Sequence, residues 1–210
     1  MAAPKVPALV ARALQAYGIA YTYIHEPQKG YRNQSFAVER SGGDMLNLIL
    51  YKSEPGMLER IKAANAVSDY LASQGFAVRR TVSSRIMCLQ SSLRIKYGAL
   101  YTYLPGHTIP WEAYSQDHIK LLGKTMSDMH ASLAVFRHDA LPEVADEYLD
   151  ILERMRHYFA NAPVQRALAD KLMLRVRPEV FDQFEQLLVA AKLLPGKQPL
   201  HMDFVRSNIL

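Results

Sequence analysis

The sequence is poor in cysteine and has no long apolar run. Only Cys88 carries a thiol, so no internal disulfide can form, and one thiol without a Cys or His cluster cannot build a structural zinc site. This usage is typical of a reducing cytoplasm, which is the location that we predict. Charged residues interrupt every apolar stretch before the roughly 20 residues that a bilayer crossing needs, so no membrane partner is expected.

What the sequence does have is a large apolar fraction and an uneven distribution of charge. Half of the 210 residues are hydrophobic and 21% are charged, enough for the core of one large or two small domains. Residues 1–110 carry 13 Lys and Arg against 6 Asp and Glu, so a basic nucleic-acid binder is one alternative. The basic residues form no stripe interleaved with aromatics, and we therefore expect no nucleic acid partner.

The first hundred residues combine strand and helix patterns. Amphipathic spacing predicts a helix over residues 4–17, and a second helical pattern over 58–71 ends at Gly75. A Gly-bearing turn at 41–44 joins two strand patterns into a hairpin. The hairpin strands and three later ones make a five-stranded antiparallel sheet, with a further strand pattern at 19–25. The five segments are residues 35–40, 45–52, 76–82, 85–90 and 97–104.

The second half of the sequence is helical. Pro105, Gly106 and Pro110 bracket a short linker, after which apolar residues recur at helical spacing. The predicted helices cover residues 117–136, 148–160, 164–174 and 178–194. We therefore predict an α+β protein with an N-terminal lobe over residues 1–104 and a helical C-terminal lobe over 105–210.

The closing segment holds the residues with the clearest chemistry. Asp203 stands two residues after His201 and five residues before Asn208. Phosphoryl transfer needs an Asp near the attacking hydroxyl and an oxygen ligand for the Mg²⁺ that bridges the nucleotide phosphates. The spacing H-x-D-x-x-x-x-N is a relative of the H-R-D catalytic loop of kinases. It predicts Asp203 as a catalytic residue and Asn208 as a metal ligand.

These elements follow one another in the order of a kinase, and the chain resembles the aminoglycoside phosphotransferase and choline kinase group of small-molecule kinases. The segments that carry the resemblance are residues 46–52, 71–75, 101–106, 122–123 with 129–130, and 201–210. The resemblance covers about residues 18–210 and implies a protein-kinase-like fold of two lobes. Family members continue past the catalytic loop with a second metal-binding Asp and further helices. We therefore expect an incomplete C-terminal lobe, from a fragment or from a naturally short protein.

The resemblance also implies which residues hold the nucleotide. Lys52, on a strand after the hairpin, resembles the lysine that pairs with the α- and β-phosphates. Asn33 and Ser35 belong to a turn that resembles the phosphate-covering loop, where backbone amides could hold phosphates. The helix position where relatives carry the acidic partner of that lysine holds Asn65 in this chain, and Glu59 is another candidate. The implied cofactors are ATP and Mg²⁺.

The adenine ring is expected at the segment between the lobes, where extended backbone can hydrogen-bond the base edge. That segment consists of Thr102, Tyr103 and Leu104. We predict an ATP-dependent kinase that transfers the γ-phosphate to a hydroxyl of a small molecule of the aminoglycoside, choline or amino-alcohol type. Carboxylates at helical spacing between Glu143 and Glu153 could receive a cationic acceptor or form an ordinary solvated face. The main alternative function is a catalytically silent nucleotide-binding or regulatory domain.

Overall fold

A computed structural model of the chain describes residues 7–29, 33–90, 95–137 and 141–200. Within these residues it contains six α-helices and six β-strands. The helices are α1 (Ala8–Ala16), α2 (Met57–Ser73), α3 (Gln116–Leu133), α4 (Val144–Ala160), α5 (Ala162–Leu172) and α6 (Pro178–Lys192). The strands are β1 (Tyr23–Ile24), β2 (Gln28–Lys29), β3 (Gln34–Glu39), β4 (Met45–Lys52), β5 (Met87–Gln90) and β6 (Ile95–Thr102).

The described residues form two compact units. Residues 7–137 with 198–200 make the first, which holds the sheet and helices α1 to α3, and Leu141–Lys197 makes the second, which holds α4 to α6. No helix in the described part of the chain combines the length and hydropathy that a bilayer crossing requires.

The sheet has the order β1-β3-β4-β6-β5, and each neighbouring pair is antiparallel. The two-residue strand β2 pairs with β3 beside this path. The predicted hairpin is confirmed as β3 and β4, closed by a hydrogen bond of 3.0 Å from Arg40 N to Asp44 O. Gly43 takes a φ of +81°, a conformation that favours glycine. The predicted α+β class with a five-stranded antiparallel sheet is therefore confirmed, although its fifth strand is β1, from the pattern at 19–25, and β2 is an added short strand.

The two faces of the sheet carry different apolar clusters, because successive strand residues point to opposite faces. The α1-facing cluster consists of Val10, Ala13, Leu14, Ile24, Phe36, Val38, Leu46, Leu48, Leu50, Leu89 and Leu100. The α2-facing cluster consists of Ile49, Tyr51, Ile61, Ala99 and Tyr101. Each face thus has its own helix, and each strand residue is assigned to a face by its parity.

Helix α2 ends as the sequence predicts. Gly75 takes a φ of +87°, and its N–H donates to Ala72 O at 3.1 Å while the Phe76 N–H donates to Leu71 O at 3.1 Å. This pair of bonds is a Schellman cap, which glycine favours because it has no Cβ. Leu71, in the last turn of α2, packs with Met129 and other apolar residues of α3 in a third cluster. Helices α2 and α3 therefore belong to the same packed unit.

The strand predicted at residues 76–82 is not formed, and that prediction is wrong. Only Thr81 makes a bridge, to Tyr101 of β6. The segment is instead attached to α2, where Ser68 Oγ donates to Arg79 O and Asp69 accepts from the Thr81 N–H. These side-chain bonds satisfy the Arg79 carbonyl and the Thr81 N–H, while Arg80 and Val82 keep backbone bonds to β6.

The second unit confirms the three later helices, with bounds within four residues of the predicted ones. Leu152 of α4 and Phe181 of α6 are its buried apolar residues. Arg156 on α4 binds two α6 carboxylates, Asp182 at 3.1 Å and Glu185 at 2.7 Å. Hydrogen bonding to Glu185 and the neighbouring charges raise the pKa of Arg156. The pairing of α4 with α6 is thus both apolar and ionic.

Candidate functional site

The predicted phosphate ligand, Lys52, is the last residue of β4 and is exposed. By parity it lies on the face of Leu48 and Leu50, which is the α1-facing side of the sheet, and it stands opposite Lys96 of β6. Its side chain makes no hydrogen bond or ion pair with any other residue of the described ranges. The role of Lys52 stays a prediction, and its ammonium group is free of carboxylates in the described unit.

Asn33 and Ser35 lie where the predicted phosphate-covering turn enters β3. Asn33 directly precedes the strand, and Ser35 is its second residue. The Ser35 hydroxyl donates to Asn47 Oδ1 at 2.6 Å across the hairpin. This bond fixes the Ser35 side chain, and its backbone is paired within the sheet, with Gln28 of β2 on one side and Ile49 of β4 on the other. Residues 30–32 of the turn lie outside the described residues.

The predicted adenine-binding segment begins at the end of β6. Thr102 is the last strand residue, and its Oγ1 accepts from the Arg80 N–H at 3.0 Å while its own N–H donates to Arg80 O at 2.9 Å. Tyr103 and Leu104 follow as half-buried residues outside any helix or strand. Within the described ranges, neither of these two pairs its backbone with another backbone group. The structure thus leaves their backbone polar groups available at the point where the sequence predicts the base.

The predicted catalytic residue Asp203 and the predicted metal ligand Asn208 lie outside the described residues. Their roles stay predictions, and their distances to Lys52 are not part of the described geometry. In the described ranges, no group of three His, Cys, Asp or Glu side chains could hold a metal ion.

The α2-facing side of the sheet holds a buried polar network that the sequence did not predict. Tyr101 is 0% exposed, and its hydroxyl donates to Asn65 Oδ1 of α2 at 2.8 Å. The Tyr51 hydroxyl lies 2.9 Å from that of Tyr101. Because the single Tyr101 proton points to Asn65, Tyr51 must be the donor in this second bond. The network therefore runs from β4 through β6 to α2.

This network occupies the helix position where the family places its acidic residue. Asn65, which holds that position in this sequence, has its side-chain oxygen bonded to Tyr101 and not to Lys52. Glu59, the second candidate, forms an ion pair of 2.9 Å with Lys62 on its own helix. A neutral tyrosine relay thus connects α2 to the sheet in the described unit. The sequence feature that could have indicated this network is the spacing of Tyr51, two residues after Ile49, which places both side chains on the same face of β4.

Burial controls the protonation of the central tyrosine. The apolar surroundings disfavour the phenolate and raise the pKa of Tyr101 far above its ordinary value, and the Tyr51 hydroxyl adds to this effect. The Arg79 guanidinium, 4.4 Å from the centre of the Tyr101 ring, acts in the opposite direction. The hydroxyl therefore stays protonated and can donate to Asn65 over the physiological pH range.

Replacing Tyr51 by Phe is expected to lower the free energy of unfolding by about 1 kcal/mol, the usual worth of one neutral hydrogen bond. The Tyr101 oxygen loses a donor, whereas its own bond to Asn65 remains. Urea denaturation of the wild type and the variant at pH 7 measures the difference. Tyr148→Phe, at a tyrosine that is 45% exposed, is the matched control and should change nothing. A Tyr51 variant as stable as the wild type would contradict the relay.

The acidic stripe of α4 is largely neutralised within its own unit. Asp146 binds Lys192 at 2.6 Å, and Glu143 binds Lys197 at 2.6 Å. The hydrogen bond and the charge of Asp146 raise the pKa of Lys192. These pairs agree with the ordinary charged helix face that was one of the two interpretations of the stripe.

Comparison with known proteins decides the family. The family model described as phosphotransferase enzyme family (APH) matches residues 24–210, which is most of the chain. The chain belongs to the APH phosphotransferase family. The predicted resemblance is therefore confirmed, and the match includes the closing segment with Asp203 and Asn208. No curated protein matches this APH chain.

A solved structure supports the fold of this APH-family chain. It is described as amicoumacin kinase hAmiN in complex with AMP-PNP, Ca²⁺ and Ami, and it is 13% identical to the chain with a TM-score of 0.55. The match covers 80% of this chain and 55% of the solved one, so the chain spans about half the length of that kinase. The likeness confirms the predicted protein-kinase-like fold.

Proposed function

We propose that the protein is an ATP-dependent kinase that phosphorylates a hydroxyl group of a small molecule. Its nucleotide-binding lobe would be residues 1–104, and its helical lobe would be residues 105–210. The observation that carries this proposal is the family match, which continues through the H-x-D-x-x-x-x-N segment at 201–208. The sheet order and the likeness to a kinase bound to AMP-PNP support it.

Each predicted site residue has a stated task in this reaction. Asp203 would accept the proton of the attacking hydroxyl and orient its oxygen towards the γ-phosphate. Asn208 would provide an oxygen ligand for the Mg²⁺ that neutralises the phosphates. Lys52 would contact the α- and β-phosphates, and the turn that enters β3 through Asn33 and Ser35 would cover them.

The base would lie against the end of β6. The half-buried Tyr103 and Leu104 offer backbone donors and acceptors that no other backbone group in the described ranges occupies. Thr102 fixes the start of this stretch through its two bonds to Arg80. A segment that is anchored at one end can bind an adenine edge at a small cost in ordering entropy.

The acceptor is proposed to be an amine-bearing alcohol, such as an aminoglycoside, choline or another amino alcohol. The chain belongs to a phosphotransferase family, and the solved structure that it resembles is described as an amicoumacin kinase. In the described second unit, the paired carboxylates of α4 give no support to that helix as the acceptor site.

A catalytically silent nucleotide-binding domain is the second candidate. It is favoured by two observations on the described residues, namely the unpaired ammonium of Lys52 and the engagement of Asn65 by Tyr101. In an active kinase the lysine and an acidic helix residue must both be in place. The two candidates differ in one property, since both bind nucleotide but only the first transfers phosphate.

An ATP titration with and without Mg²⁺ tests the proposal. Calorimetry on the wild type is expected to give a dissociation constant in the micromolar to millimolar range, about that of typical enzyme substrates, and tighter binding with Mg²⁺. Asn208→Ala should remove the Mg²⁺ dependence and keep the metal-free affinity. Transfer from ATP to a panel of aminoglycosides and amino alcohols is then measured.

Three outcomes separate the candidates. Binding with transfer supports the kinase, whereas binding without transfer or hydrolysis supports the silent domain. A folded wild type that does not bind ATP at all contradicts both. Circular dichroism and a cooperative melt show in each case that the protein is folded.

A further inference from the structure

One side of helix α2 carries three polar residues at helical spacing. Asn65, Ser68 and Asp69 stand three and four positions apart and therefore share one face. Short polar side chains of this kind disfavour helix interiors, because they compete for backbone groups. All three are used in tertiary hydrogen bonds, so their cost to the helix is offset by contacts elsewhere. We name this set of three residues the α2 latch.

The α2 latch binds the segment that follows the helix. Ser68 Oγ donates to Arg79 O at 2.5 Å. The two oxygens of the Asp69 carboxylate accept from Thr81, one from its N–H at 2.7 Å and the other from its hydroxyl at 2.5 Å. A half-buried carboxylate that receives two donors from one residue is a strong, geometrically defined contact. Residues 79–81 are therefore held against α2.

The same segment holds the end of β6. The Val82 N–H donates to Leu100 O at 2.9 Å, and the Thr102 N–H donates to Arg80 O at 2.9 Å. Thr81 forms its bridge to Tyr101 between these two bonds. Each of the last three residues of β6 is thus attached to residues 80–82.

Helix α2 also contacts β6 directly. Asn65 of the α2 latch accepts from the Tyr101 hydroxyl, and the Arg79 guanidinium lies over the Tyr101 ring. Tyr101 is therefore held at its hydroxyl by Asn65 of α2 and at its ring by Arg79 of the attached segment. The next residues along the chain are Thr102, Tyr103 and Leu104.

We propose that the α2 latch positions the nucleotide-binding segment 102–104, so that the affinity for the adenine base depends on α2. This inference rests on the proposed nucleotide binding and assigns Asp69 as a positioning residue. When the latch is intact, the end of β6 is ordered before the base arrives. When it is broken, binding must also supply the free energy of ordering this segment, so the affinity for ATP falls. The phosphates are held by other residues, so their binding should not depend on the latch.

The test compares ATP with inorganic tripolyphosphate, which has the phosphates but no base. Asp69→Ala is expected to weaken ATP binding about tenfold, the effect of one lost charged hydrogen-bond contact, and to leave tripolyphosphate binding unchanged. Asp69→Asn keeps an acceptor for the Thr81 N–H and should restore most of the ATP affinity. Asp128→Ala, which makes the same change at an exposed carboxylate of α3, is the matched control and should bind both ligands like the wild type.

The outcomes distinguish this inference from the proposed function. A wild type that does not bind ATP overturns the proposed function and the inference with it. A wild type that binds ATP together with an Asp69→Ala variant that binds it equally well overturns the inference alone. An equal loss of ATP and tripolyphosphate affinity also overturns it, because general destabilisation does not select the base. If Asp69→Ala does not fold, Ser68→Ala and Thr81→Val each remove one hydroxyl and should show the same selectivity for ATP.

Discussion

Replacing Asp203 by Asn is expected to lower the rate of phosphate transfer about 10²- to 10⁴-fold, the range that a positioned general base contributes. Asn has the shape of Asp and can still hydrogen-bond the acceptor hydroxyl, but it cannot take up its proton. The nucleotide is proposed to be held by residues 102–104 and by the phosphate-binding residues, so the affinity for ATP should not change. Steady-state transfer rates give kcat, and calorimetry gives the dissociation constant for ATP.

The control for this substitution is Asp117→Asn, at an exposed carboxylate in the first turn of α3. It makes the same chemical change at a site without a proposed role, and it should keep the wild-type kcat. An Asp203 variant with full activity would show that the catalytic base lies elsewhere. A variant that loses ATP affinity together with kcat would show that Asp203 serves nucleotide binding, contrary to its proposed task.

Local patterns predicted most of the fold because their causes are local. Helix α2 was marked by its apolar spacing and by Gly75, and the structure shows the cap that this glycine makes. The β3–β4 hairpin was marked by alternation around a Gly-bearing turn. In both cases the residues that give the signal are the ones that form the contact.

The failure at residues 76–82 has a tertiary cause. Phe76 and Val78 alternate as in a strand, but both pack into the cluster between α2 and α3. Ser68 and Asp69 then occupy backbone groups of the segment. Ser68 and Asp69 lie 11 and 12 residues before the groups that they bind, so the strand pattern around residue 80 does not include them. Periodicity alone could not exclude the strand.

The site was predicted in part for the same reason. Residues 102–104 and the turn before β3 were predicted from the order of elements in the family. The contact of Asn65 with Tyr101, by contrast, depends on which face of β6 meets α2. That face is set by the register of β4 with β6, in which Tyr101 lies opposite Asn47. Register is a property of the whole sheet, and counting positions along one helix cannot give it.

Above pH 10 the protein is expected to lose stability through Tyr101, by about 2–3 kcal/mol by pH 12 from this residue. In the unfolded chain the phenol ionises near its ordinary pKa, whereas burial raises the pKa of Tyr101 in the folded protein. The folded state therefore keeps a proton that the unfolded state releases. The contribution of this residue is complete below pH 10 and declines as the pH rises towards the folded pKa.

Urea denaturation of the wild type and Tyr101→Phe between pH 8 and pH 12 measures this effect. At pH 8 the variant should be less stable by about 1–3 kcal/mol, because Asn65 and Tyr51 lose their buried partner. The difference in free energy of unfolding between the two proteins should narrow as the pH rises, because only the wild type has a hydroxyl at position 101 that can ionise. Burial also raises the pKa of Tyr17, so the wild-type slope alone is not diagnostic. Tyr148→Phe should follow the wild type at every pH, and a constant gap for Tyr101→Phe would show that its hydroxyl is open to water.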